Sequence, residues 1–173
     1  MRTWMVTTMM MTAFLAYPRL VPTFAAADDP GAGGAPAPRT ACELLTLAEI
    51  GKIAGSSAIE IDPSQSGPDD TGGDNCVWKV KGNPNPFMVF QIKRVPADRK
   101  VEAAFSDERV SAFGGGPAPA AVSGLGDEAL YRDFQRVKGG CLILRHGRNL
   151  VSFSGPVGRD AYVTLARLIL QRL

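Results

Sequence analysis

The chain has 173 residues, with 19 Lys and Arg against 17 Asp and Glu, one His and three Cys, a length of about one domain. Near-neutral charge gives no electrostatic footprint for nucleic acid, whose binding requires a clustered excess of cations. One histidine and three scattered cysteines exclude a zinc site, and without a CxxC pair a redox motif has no support.

Arg2 precedes an uncharged, mostly apolar run of thirteen residues, Trp4 to Ala16, and Ala25-Ala26-Ala27 then offers small residues in the positions a signal peptidase reads. This layout predicts a secretory signal over 1–27. At about 1.5 Å per residue the run covers roughly 20 Å of a hydrocarbon core of roughly 30 Å, too short for a stable transmembrane anchor. Cleavage after Ala27 removes Arg2 and Arg19, leaving 17 basic and 17 acidic residues in an exported, periplasmic or secreted, chain. Residues 28–41 (DDPGAGGAPAPRTA) carry no apolar period and many Gly and Pro. They are expected to form a flexible linker, leaving 42–173 as a single domain.

Within that domain, Thr46 to Glu49 reads as a capping box, with Leu45 and Ile50 as a hydrophobic staple and Gly55 at the C-terminal αL position. A short helix between them follows. Strands are expected at Ala58 to Asp62, Cys76 to Lys81 and Phe87 to Val95, separated by a polar loop (63–75) and the turn Gly82 to Pro86. A helix over about Asp98 to Phe113, with Asp98 as N-cap, shows an apolar stripe of Val101, Ala104, Phe105, Ala112 and Phe113 and stops at Gly114-Gly115-Gly116-Pro117. Strands at Ala129 to Asp133, Gly140 to Arg145 and Asn149 to Ser154 lead to a final helix, Arg159 to Leu173. Its polar residues Asp160, Thr164, Arg167 and Gln171 occupy one narrow stripe, so most of its girth must be covered. The order α-βββ-α-βββ-α predicts an α+β fold with an antiparallel sheet of about six strands and helices packed on one face. Cys76 to Gly82 and Cys141 to Gly147 both run cysteine to glycine over six steps, a possible internal pseudo-repeat.

Three cysteines in an exported chain allow one bridge: Cys42–Cys76, Cys42–Cys141 or Cys76–Cys141. The first is favoured, because it clasps the start of the first helix to a strand beside Trp78. Cys141 is then a buried free thiol.

Cys-x-Leu-Leu-Thr-x-x-Glu-Ile (Cys42 to Ile50), Gly55, Cys-x-Trp (Cys76 to Trp78) and Gly-Leu-Gly-Asp-Glu-Ala (Gly124 to Ala129) resemble a family of bacterial exported proteins and lipoproteins of unknown function. The resemblance covers about 42–173. It implies an envelope-facing domain and a Cys42–Cys76 disulfide, and it carries no catalytic residues. The chain departs from the pattern in lacking a lipid-acceptor cysteine after its signal.

Gly124 to Ala129 also matches the dinucleotide pattern GxGxxA, but a strand follows instead of a helix, and Asp127 and Glu128 would repel a pyrophosphate. A tight turn is expected. Asp69, Asp70 and Asp74 lack EF-hand spacing and read as a solvated loop. His146, at an expected hairpin tip, would need Ser152 or Ser154 and an orienting carboxylate to act as a base. Arg132, Arg136, Lys138, Arg145 and Arg148 gather in the second meander as candidates for an anionic ligand or partner, with Tyr131, Phe134 and Trp78 as possible apolar additions. The expectation is a non-enzymatic cell-envelope domain, without cofactor or metal. It would bind a partner protein, lipid or small ligand through an exposed sheet face. The alternatives are an assembly accessory protein and, least supported, a hydrolase using His146.

Overall fold

A computed structural model describes residues 39–173; the expected signal and the linker up to residue 38 lie outside them. Arg39 and Thr40 are exposed, but Ala41 is fully buried, and its N–H donates to Asp74 Oδ2 at 2.6 Å. The folded body thus begins one residue before Cys42. A 3-10 turn, Ala41–Glu43, leads into helix α1, Leu47–Ala54. The expected capping box forms in both directions between Thr46 and Glu49. Gly55, at φ +65°, ends the helix in the left-handed region that side-chain-bearing residues avoid.

Eight strands follow: β1 (Ile59–Ile61), β2 (Gly67–Pro68), β3 (Gly73–Val80), β4 (Pro86–Arg94), then, after helix α2 (Val101–Phe113), β5 (Ala120–Ala121), β6 (Glu128–Asp133), β7 (Gly140–His146) and β8 (Asn149–Gly155), with α3 (Arg159–Leu170) last. They form one antiparallel sheet in the order β1-β3-β4-β8-β7-β6-β5, with β2 beside β3. The α+β class and antiparallel sheet hold, but the strand count rises from six to eight. The two additions, β2 and β5, are two-residue bridges at the sheet margins, too short to leave any period in the sequence.

The expectation that all helices share one face is wrong. On the first face, α1 and α3 cover a cross-strand row of Cys76, Phe90, Phe153, Leu142 and Tyr131. Phe90 and Phe153 stack at 4.9 Å between ring centroids, flanked by Trp78 and by Tyr162 of α3. On the opposite face, Ala104, Phe105 and Phe113 of α2 pack on Cys141, Ile143 and Leu150. The cause lies in β7, where Cys141, Leu142, Ile143 and Leu144 are all buried. An unbroken apolar run has no polar face to offer water and needs cover on both sides.

Helix α2 also starts later than expected. Arg99 N donates to the Pro96 carbonyl, and the Arg148 guanidinium binds the carbonyls of Val95, Pro96 and Arg99. These bonds hold 95–99 in a turn, so Lys100, not Asp98, is the N-cap residue. The strand order is palindromic about the β4–β8 pair, as a repeat would give. Yet Cys76 faces α1 and α3 whereas Cys141 faces α2. The repeated spacing is not matched by repeated facing.

Cys42 and Cys76 form a disulfide closing a 34-residue separation, and Cys141 is free and buried. Arg172 completes the seal on α1, donating to the Leu44 carbonyl and to both Glu49 carboxylate oxygens (3.0 and 2.6 Å). That hydrogen-bonded pairing is the main reason the Glu49 carboxyl is held down at about 2. Reducing the disulfide, or the Cys42→Ser/Cys76→Ser double substitution, is expected to cost about 3–4 kcal/mol from the loop released in the unfolded chain. Urea unfolding with and without reductant measures this, and unchanged midpoints would contradict it.

Candidate functional site

The five candidate cations of the second meander do not form one patch. Arg132 Nη1 donates to the Phe113 carbonyl at 2.6 Å and the Pro117 carbonyl at 3.1 Å, with its guanidinium carbon 5.1 Å from the Phe113 ring centroid. It fastens the end of α2 to β6, and Gly116 leaves room for it: a Cβ there would lie 2.5 Å from Nη1. Arg145 faces Asp127 at 3.4 Å. Arg148 is the three-carbonyl clamp on 95–99. Three of the five candidates therefore serve the fold.

Arg136 and Lys138 differ. Both are exposed on the β6–β7 hairpin tip, residues 134–139, and make no hydrogen bond or ion pair among the described residues. The nearest acid in sequence, Asp133, accepts from the Tyr131 hydroxyl. Between the cations sits Val137, 65% exposed, and Phe134, 39% exposed, opens the tip. Of the apolar additions considered from sequence, Trp78 and Tyr131 are buried, and only Phe134 reaches the surface. Val137 was missed; its signal was an aliphatic residue between two cations in a loop too short to fold back over it.

The tip is held from below. Phe134 N donates to the Gly139 carbonyl at 2.9 Å. Gly139, at φ +123°, lies against β8 so closely that a Cβ would come within 2.1 Å of the Gly155 carbonyl oxygen. The Tyr162 hydroxyl reaches the carbonyls of Gly140 and Gly155 at 2.9 and 2.8 Å, fixing the base of the hairpin to α3. Beside the tip, the Gly114–Gly116 segment and Arg132, Phe134, Arg136 and Val137 line an open groove of about 530 Å³.

The remaining candidates take structural positions. In the Gly124–Ala129 motif, Leu125 is buried and Asp127 accepts from Gly147 N at 2.7 Å, so the turn braces the β7–β8 hairpin. His146 pairs with Asn149, and Ser152 with Ile143. His146 lies three positions beyond Ile143, so strand alternation puts His146 and Ser152 on opposite faces, about 10 Å apart along the sheet. Asp74 holds the Ala41 N–H. Asp69 accepts from Thr71 N and Oγ1, Gly73 N, Asn75 Nδ2 and Gln91 Nε2. Burial alone would raise its pKa, but these donors outweigh that and bring it from 3.8 to about 2. Asp70 is exposed. Among the described residues, no three His, Cys, Asp or Glu side chains are grouped to hold a metal ion.

A second open groove, about 360 Å³, lies where α2 meets β4 and the Asp69 loop. Glu108 and Lys93 both line it, and burial raises the Glu108 carboxyl above its ordinary value. Burial likewise pushes the Cys141 thiol up to about 11, keeping it protonated at neutral pH. No family model matches the chain, and no curated protein matches it.

Arg148→Met is expected to cost about 2–4 kcal/mol through the stranded carbonyls, whereas Arg136→Met stays within about 0.5 kcal/mol of the parent. Urea unfolding of the two variants distinguishes a clamp from a free surface cation. Because the Asp69 value is depressed on folding, its contribution is present above about pH 4 and is lost as the pH falls toward 2. Asp69→Asn should lower stability at neutral pH by about 1–2 kcal/mol and flatten the acid limb between pH 4 and 2. An unaltered acid limb in thermal melts would contradict this.

Proposed function

We propose that the chain is an exported, non-enzymatic domain of the cell envelope that works by contact, through the β6–β7 hairpin tip rather than an open sheet face. The observation that carries this reading is the division of labour among the cations. Arg132, Arg145 and Arg148 are engaged within the fold, while Arg136 and Lys138, without a partner among the described residues, stand beside exposed Phe134 and Val137. Exposed apolar side chains among unpaired cations, on a loop anchored at its base, suit a surface built to meet something outside the molecule.

Export is supported by the amino-terminal layout and by the Cys42–Cys76 bridge, since disulfides persist in oxidising compartments. Among the described residues no helix is long and apolar enough to cross a membrane. The motif resemblance to exported bacterial proteins points the same way. The sheet faces offer less: α1 and α3 cover one, and α2 covers the β7 region of the other. Beside α2, Asp69 of the β2–β3 loop binds Asn75 and Gln91. The non-enzymatic reading draws support from the separation of His146 from Ser152 and from the raised pKa of Cys141.

A photo-cross-linking residue at position 137, in the full chain exported by a bacterial host, tests this. Adducts are expected there and not at position 57, a surface site remote in sequence from the tip. Mass spectrometry of the same material should find an amino terminus at Asp28, one disulfide and one free thiol. Equal adduct yields at the two positions, or none at either, would overturn the reading.

A further inference from the structure

We infer that the β6–β7 tip docks the domain on an anionic phospholipid surface, with Phe134 and Val137 entering the interface and Arg136 and Lys138 lying on the headgroup phosphates; this rests on the tip being the contact surface. Among the described residues five large apolar side chains are exposed, and two of them fall in this six-residue tip. Their spacing alternates with the cations in the order Phe134, Arg136, Val137, Lys138. Cations that snorkel while apolar neighbours insert match a bilayer interface, where acyl boundary and phosphate lie within one side-chain length of each other.

Charge complementarity favours lipid. Arg136 and Lys138 carry no partner among the described residues, and the nearest acid in sequence, Asp133, is turned to Tyr131. A protein partner would require a buried area near 1,000 Å² or more, which two apolar side chains do not provide. A bilayer requires no matched shape, only depth and charge. The anchoring of the tip through Gly139 and Tyr162 means little ordering on binding. The affinity expected is modest and salt-sensitive, since each cation near an anionic surface contributes about five-fold, or about 1 kcal/mol.

The processed chain, purified from the extracytoplasmic fraction of its expression host, is sedimented with vesicles of pure phosphatidylcholine or of phosphatidylcholine with about a third phosphatidylglycerol. Binding is expected only to the anionic vesicles at low salt, and is lost at about 0.5 M NaCl. Arg136→Gln/Lys138→Gln should weaken it about 25-fold. Phe134→Ser/Val137→Ser should weaken it without changing the salt dependence. Both pairs are on the surface, so unfolding midpoints should match the parent and serve as the folding control. Absence of binding to anionic vesicles overturns the inference, as does binding unaffected by either pair. Competition by free glycerol phosphate at millimolar levels would overturn it too, pointing to a soluble-anion site. If vesicles fail while position 137 still yields a protein adduct, the lipid partner falls and the contact role stands. If both fail, both fall.

Discussion

Burial of β7 on both faces is the constraint from which the architecture follows. Leu142 and Leu144 point toward α1 and α3, Cys141 and Ile143 toward α2. A strand with four consecutive buried apolar side chains cannot sit in a sheet that shows one face to water. The chain therefore places α2 across the side opposite the other two helices, and the large open face that a one-sided α+β sandwich would leave for binding is reduced to a margin at β3 and β4. What can meet a partner moves to the rim, above all to the hairpin connecting β6 and β7.

Arginine explains how the rim is held. Arg148 gathers three carbonyls of a segment that would otherwise extend α2, Arg132 caps the other end of the same helix, and Arg172 joins the carboxyl-terminal segment to α1. Each guanidinium donates to backbone oxygens at helix ends or turns. At the amino-terminal side, the Cys42–Cys76 bridge and the Ala41–Asp74 bond do the equivalent for the 3-10 turn, attaching it to the strand that carries Trp78. The same residue type thus stands in two roles, and only the surroundings separate a clamp from a free surface charge.

Local signals were legible in the sequence because their causes are local. The capping box at Thr46 and Glu49, the αL glycine at Gly55 and the narrow polar stripe of α3 each depend on residues a few positions apart. The side on which α2 packs was not legible in the same way, since it depends on which face of a distant strand lacks cover. The CLIL run of β7 held that information, but its consequence appears only once strands are paired. The start of α2 was misjudged for a similar reason: Asp98 is a plausible cap by type, and the residue that overrules it, Arg148, lies about fifty positions away. The candidate cations were found by composition, yet composition cannot tell which guanidinium meets a carbonyl. Val137 escaped notice because an aliphatic residue in a loop is expected to be buried until the loop proves too short to cover it.

Amide hydrogen exchange of the oxidised domain tests the two-sided account most directly. Leu142, Ile143 and Leu144 should exchange only through global unfolding, with an opening free energy equal to that from urea denaturation, while Gln135 to Lys138 exchange close to the rate of an unstructured peptide. Amides of β7 that open well before the rest of the sheet, or a tip protected as strongly as the strands, would contradict it.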